Sequence, residues 1–357
     1  MSDPVRFAVI GTGWRSEFHV RMANAAPERL EAVAVMARSE SEAERLTAAW
    51  NVPTVRTIKD LVAFKPDFVI AAVSWPSMPD VVRELVAAGV KVMAETPPAS
   101  QLDELRSLWN DVGNSGLVQV GEQYLLMPGH ASRLAVIGEG VIGQPTSAEV
   151  ASTHLYHATA IMRAFLGAEM DDAVVTGRKF TAPLVDPLGF AGWAVEPTPE
   201  PKTTTIATLD FGDGRMGLYN FVDNQWWNPL RARRIVIRGT LGEIVDNEVT
   251  RLTHDGPVTS PIMYRRTGVD MNLEGNEVVH TSFDGSVIWR NPWVGTRLSE
   301  DDIAVASFLT AVGAWARDEA PGPYSLAAAC QDHALGLAIE ESARTGKDVR
   351  VTKEVWS

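Results

Sequence analysis

Gly11-Thr12-Gly13 is the first group in the chain whose types and spacing suit a reaction. It ends the nearly continuous apolar run Val5 to Ile10 and precedes a helical spacing carried by Phe18, Met22 and Ala25. In that setting Gly11 can take the tight turn out of a strand. Gly13 lets the backbone approach a pyrophosphate lying on the positive end of the next helix. Trp14 and Arg15 follow directly and are expected to border the same nucleotide. Ser16 stands where a third glycine would complete the usual fingerprint, so the reading rests on the turn's place between strand and helix. Arg38 and Ser39 follow a second apolar run, Ala32 to Ala37, and no carboxylate appears until Glu40. An acid at this point would bond the ribose 2′-hydroxyl of NAD, whereas a cation suits the 2′-phosphate of NADP. NADP is expected, with NAD as the alternative.

A second group is His154, Tyr156 and His157, three ring-bearing polar side chains within four residues. As a metal pair, His154-x-x-His157 has no evident third ligand, and no metal is expected. The single cysteine, Cys330, excludes a disulfide framework and a thiolate cluster within one chain. Gln123-Tyr124 follows the strand-like Val118 to Gly121, and Ser74-Trp75 follows the strand-like Asp67 to Val73. Asp223 to Asn228 combines amides with Trp226 and Trp227, a composition suited to sugar hydroxyls and C–H faces, though paired indoles serve packing equally well. Arg290-Asn291-Pro292-Trp293 has the same two readings.

The elements that must position these residues alternate regularly. After the first two strands and their helices, Thr57 to Phe64 reads as a helix and Pro79 to Ala88 as another, closed by Gly89. Val90 to Ala94 is then a strand and Gln101 to Asp111 a helix. Such alternation calls for a parallel sheet covered on both faces, because parallel strands need crossover helices. Farther on, Thr204 to Phe211 and Arg215 to Val222 alternate like paired strands about Gly212-Asp213-Gly214, and Arg234 to Arg238 reads as a strand. The Pro/Gly-rich stretch from Ala182 to Pro201 reads as a long loop able to overlie a site or reach a neighbouring subunit.

Composition bounds the partners. Lys and Arg number 32 against 45 Asp and Glu, a net charge of −13 without a basic cluster, so nucleic acid is not an expected partner. The longest purely apolar stretch, Val69 to Val73, is far below the ~18 residues of a membrane span. Pro4-Val5-Arg6 runs straight into a strand, so no basic, apolar leader is expected, and the chain reads as cytoplasmic.

Several segments together resemble the Gfo/Idh/MocA family of glucose-fructose oxidoreductase, inositol dehydrogenase and relatives. Gly11-x-Gly13 with His19 resembles G-x-G-x-x-G-x-x-H, and Ala87 to Pro97 resembles A-x-x-G-K-H-V-x-x-E-K-P. Ile137 to Gly143 resembles I-x-x-G-x-I-G, and Ser299 to Val351 resembles the family's closing helices. The resemblance implies an α/β protein with a Rossmann domain over residues 1–122 and a C-terminal α+β domain over 123–357. The second would carry a large open, mostly antiparallel sheet through which a homo-oligomer, a dimer or tetramer, forms. It also implies that Glu95, Thr96 and Pro97 border the cofactor and that Gln123, Tyr124 and Trp226 border substrate.

Members typically place a Lys in E-K-P, and a His and an Asp three apart on a helix. His157 to Gly167 resembles H-x-x-D-L-L-R-Y-L-L-G, which makes His157 the expected acid–base group. The Lys position is Thr96 and the Asp position Ala160, so His157 is expected to lack its carboxylate neighbour, with His154, Tyr156 or Tyr124 compensating. The implied activity is NAD(P)-dependent hydride transfer at a hydroxyl or carbonyl of a sugar, sugar derivative or cyclitol. Two alternatives stay open: a redox-neutral lyase, epimerase or glycosidase that uses bound NAD(P) transiently, and a non-catalytic nucleotide-binding sensor.

Overall fold

A computed structural model describes residues 3–189, 191–267 and 276–357. The N-terminal part alternates as expected: β1 (Val5–Ile10), α1 (Trp14–Ala25), β2 (Leu30–Met36), α2 (Glu40–Trp50), β3 (Thr54–Val55), α3 (Ile58–Val62), β4 (Phe68–Ala71), α4 (Met78–Ala87), β5 (Val92–Ala94), α5 (Leu102–Val112) and β6 (Val118–Val120). The strands form one parallel sheet in the order β3-β2-β1-β4-β5-β6, the doubly wound Rossmann arrangement. The order reverses between β1 and β4, so a crevice opens at their C-terminal ends, where the glycine turn lies. Helix α1 starts at Trp14, directly after Gly13, a turn before the apolar spacing that begins at Phe18. The first turn holds an exposed Trp14 and a buried but polar Ser16, so a pattern built on buried apolar positions passes over it.

The chain continues through α6 (Pro128–Gly138), β7 (Pro145–Ala151), α7 (Leu155–Leu166) and β8 (Ala173–Val185). A small hairpin, β9 (Leu188–Gly189) and β10 (Gly192–Trp193), leads into β11 (Pro199–Asp210) and β12 (Met216–Val222). There follow β13 (Arg234–Gly239), β14 (Gly242–Val245), β15 (Glu248–Thr253), β16 (Gly256–Pro261), β17 (Met263–Thr267), β18 (Glu277–Phe283) and β19 (Ser286–Arg290). Two long helices, α8 (Glu300–Ala316) and α9 (Leu326–Thr345), and β20 (Val349–Val351) complete the described elements. The large sheet has nine strands in the order β16-β15-β14-β13-β7-β12-β11-β8-β20. Its described pairs are antiparallel except β7 with β12.

The stretch read as a loop from Ala182 to Pro201 is largely strand. Pro199 pairs with Val185 and Pro201 with Pro183, extending the β8–β11 ribbon, and only its tip turns back as the β9–β10 hairpin. Prolines at the end of a two-stranded ribbon lose few ladder bonds, so the sequence read as loop what the backbone makes into strand. Phe190, within that stretch, lies outside the described residues.

The closing helices divide between the sheets. Ile303, Phe308 and Leu309 of α8 are buried with Phe7, Val9 and Phe68 on one face of the Rossmann sheet. Cys330, Leu335 and Ile339 of α9 are buried with Ile161 and Phe165 of α7 and Val175 of β8. Between the two helices the chain runs along edge strand β6, where Val120 N–H donates to Tyr324 O at 2.9 Å and Gln119 pairs with Ser325. No described helix is long and apolar enough to cross a membrane.

Candidate active site

A cavity of about 860 Å³ extends from the glycine turn to the start of α7. At one end lie Gly11, Thr12, Gly13, Trp14 and Arg38. Gly11 has φ +129°, and a Cβ there would fall 2.0 Å from the Ala72 carbonyl oxygen, so no other residue fits. Gly13 is the extended N-cap of α1 and supplies no side-chain cap, which leaves the first-turn N–H groups open to an anion. Ser74 and the half-exposed Trp75 border the cavity beyond β4. Ser39 does not line it; its hydroxyl caps α2, accepting from Glu42 N–H at 3.2 Å. Glu42, which the sequence did not single out, reaches the cavity instead. It accepts from Thr12 Oγ1 at 2.6 Å and from Arg38 N–H at 3.4 Å. The Thr12 bond, with further help from Arg38, holds its carboxyl below the ordinary range. Arg56 donates to the Arg38 carbonyl, setting two guanidinium groups near the end of β2.

Midway along the cavity, Glu95 accepts from Arg15 Nε at 2.8 Å and from His19 Nε2 at 2.6 Å, and Arg15 also donates to Gln123 Oε1 at 3.2 Å. Burial alone would push the Glu95 carboxyl up, but the Arg15 charge and the His19 bond outweigh it and bring it down to about 2. His19 is 1% exposed, and burial keeps its imidazole neutral, donating from Nε2 with Nδ1 unpartnered. Thr96 lines the cavity next to Glu95, whereas Pro97 borders a smaller void behind it together with Glu122 and Asp332.

At the far end, β7 delivers the chain to α7 through His154 and Leu155. Leu155 has φ +32°, an unusual value for a non-glycine residue, and its N–H donates to Tyr219 Oη at 3.2 Å. That turn sets His154, Tyr156 and His157 side by side on the cavity wall. His154 Nε2 lies 3.2 Å from Tyr156 Oη, and the His154 and His157 rings meet edge to face at 5.1 Å. Burial, then the neighbouring His157, lowers His154 to about 3, so it is a neutral imidazole near pH 7. Burial likewise raises the Tyr156 phenol, a rise opposed by a hydrogen bond from Thr96.

The expectation that His157 lacks a carboxylate neighbour is overturned. Its Nδ1 lies 2.5 Å from Glu122 Oε2, although Ala160 is indeed buried and apolar. Glu122 follows β6 after Gly121, and its other oxygen accepts the Tyr124 N–H at 3.0 Å. Tyr124 also stacks on the His157 ring, with centroids 4.4 Å apart. Carboxylate and imidazole are thus fixed from two elements, which leaves Nε2 as the nitrogen free for chemistry. Trp226 supplies an indole wall, stacked on Phe221 at 5.2 Å and 11°. Trp227 does not line the cavity, and Trp293 is core, 1% exposed beneath the Arg29 guanidinium. Asp301, in the first turn of α8, also reaches this end; its place after the cap Ser299 and before Asp302 was the available signal. Among the described residues no group of His, Cys, Asp and Glu is arranged to hold a metal.

Fold and cavity together define a Rossmann-type domain with an open crevice at its glycine turn. Residues 5–122 match the family model GFO_IDH_MocA, the oxidoreductase family with an NAD-binding Rossmann fold, so the resemblance read from the sequence holds over that part of the chain. Similar solved structures extend over the full chain. An oxidoreductase from Agrobacterium radiobacter, in complex with NAD+, L-tartaric acid and magnesium, has TM-score 0.70 and 17% identity, covering 98% of each chain. A myo-inositol dehydrogenase from Corynebacterium glutamicum has TM-score 0.67 and 16% identity, covering 98% of this chain and 100% of its own. The WlbA dehydrogenase from Bordetella pertussis, in complex with NADH and UDP-GlcNAcA, has TM-score 0.65 and 17% identity over 99% of both chains. At these identities the likeness is one of fold. A comparison with curated protein sequences finds no match.

Proposed function

We propose that the protein is an NAD(P)-dependent oxidoreductase acting on a CH–OH group of a carbohydrate or cyclitol. One observation carries this reading: a Glu122-bound imidazole and a glycine turn fit for a pyrophosphate border the same cavity. The cradle suits the dinucleotide, since Gly11 admits no Cβ and nothing lies within 4 Å of a Cβ at Gly13. Gly11 to Arg15 would hold the phosphates, and Arg38 with Arg56 beside it supports a 2′-phosphate and hence NADP. When bound, the dinucleotide supplies a hydride acceptor or donor.

The chain's own residues would manage the proton. Glu122 accepts the Nδ1–H of His157, which fixes the tautomer with its lone pair on Nε2. Nε2 takes the hydroxyl proton as the alcohol is oxidised, and the Glu122 carboxylate balances the imidazolium. In the reductive direction the same nitrogen returns the proton. Tyr156 and His154, both neutral, orient the substrate hydroxyls, and Trp226 faces its C–H surface. A homo-oligomer through the nine-stranded sheet accords with Phe180 and Ile206, 52% and 44% exposed on the face turned away from α9.

Calorimetry with NAD and NADP, followed by a polyol and sugar panel read at 340 nm, tests the proposal. Turnover that rearranges substrate without net absorbance change would replace it with the redox-neutral reading. Tight binding with no chemistry on any member would replace it with a sensor.

A further inference from the structure

The charges around His157 bear on what can enter. Among the described residues, Arg15 and Arg38 are the Lys or Arg side chains that line the cavity; Arg38 lies at the glycine-turn end, and Arg15, midway, is held by Glu95 at 2.8 Å and by Gln123 at 3.2 Å. Thr96 puts no cation where the related family carries lysine, and burial keeps His154 neutral. The His157–Glu122 pair adds no net positive charge whichever group holds the proton. Asp301, in the first turn of α8, remains, with Gln123 Nε2 3.5 Å from its Oδ1. This end of the cavity is therefore net negative, and among the described residues no Lys or Arg lines it. Its remaining surfaces are hydroxyls, amides and the Trp226 indole, which match alternating O–H and C–H groups. A carboxylate or phosphate placed here would lose its water and gain no partner.

We infer that the substrate is an uncharged polyhydroxylated compound, and that Asp301 is a specificity residue that turns away sugar acids and sugar phosphates. The inference rests on the oxidoreductase reading and narrows its substrate class. The test uses the full chain saturated with whichever dinucleotide binds more tightly. Initial rates and calorimetric binding are compared for myo-inositol and D-glucose against D-gluconate, D-glucuronate and D-glucose 6-phosphate. The neutral probes should exceed the charged ones by about ten-fold or more in kcat/KM. Asp301→Asn should narrow that gap several-fold, and Thr96→Lys should narrow it further by supplying a cation. Charged probes used as well as neutral ones, no neutral probe bound, or a gap unmoved by Asp301→Asn would each overturn the inference. Failure of both dinucleotides to bind would instead remove the oxidoreductase reading beneath it.

Discussion

Glu122 Oε2 and His157 Nδ1 lie 2.5 Å apart although 35 residues separate them in the chain. Glu122 leaves the last strand of the Rossmann sheet and His157 sits in the first turn of α7. The pair thus ties the end of the Rossmann sheet to α7 at the cavity wall. Glu122 supplies the carboxylate that Ala160 does not, from a different element.

If this pair moves the proton, His157→Ala should lower kcat/KM by ~10²-fold or more while dinucleotide affinity holds. Glu122→Gln keeps the shape and removes the charge, so a loss of about ten-fold or more with an altered pH profile is expected. Steady-state rates across pH on both variants check this, and an unchanged His157→Ala rate would take the residue out of the mechanism.

Cofactor choice should turn on Arg38 and Glu42. Arg38→Ala should weaken NADP and spare NAD. Glu42→Gln removes an anion next to Thr12 and the Arg38 amide, so NADP should bind several-fold more tightly, with little change for NAD. Calorimetry with both dinucleotides decides; equal shifts for the two would contradict a role at the 2′ position.

Glu95 should make stability depend on acid. Its carboxyl lies near 2 in the folded chain against an ordinary 4.5, so the unfolded chain binds the proton more readily. The contribution is then complete above about pH 4.5 and is lost as pH falls toward 2, amounting to on the order of 3 kcal/mol. Urea unfolding between pH 7 and 3 should show this slope, and Glu95→Gln should flatten it.

Arg163 and Asp332 form a buried pair, with Tyr324 donating to the same carboxylate. Asp332 is raised to about 6, chiefly by burial, which Arg163 only partly offsets. Arg163→Ala would strand that carboxyl and should cost roughly 3–5 kcal/mol in urea unfolding at pH 7. A loss below about 1 kcal/mol would show that water enters and replaces the arginine.

The Rossmann half was legible because fully buried parallel strands such as Val69 to Ala71 read as unbroken apolar runs. The glycine turn was legible because Gly11 stands where a Cβ cannot. The missed residues share a cause. Glu122, Glu42 and Asp301 act across tertiary contacts, and each lies at a strand end or in a helix's first turn, where acids commonly serve as caps. A helical spacing rule searched for the partner of His157 at position 160, on the same helix, and could not see one arriving from β6. Ser39 shows the converse: it stands in the nucleotide-reading stretch, but its hydroxyl is already engaged as a cap.

The return of the chain along β6 has a consequence beyond packing. The outer edge of a sheet offers unpaired amides and carbonyls to any passing strand, and here Tyr324 and Ser325 close part of that edge. Glu122 begins two residues after the sealed Val120. A slip of this seam would both open a sticky margin for aggregation and shift the carboxylate that holds His157, so resistance to self-association and the placing of that imidazole hang on the same few bonds.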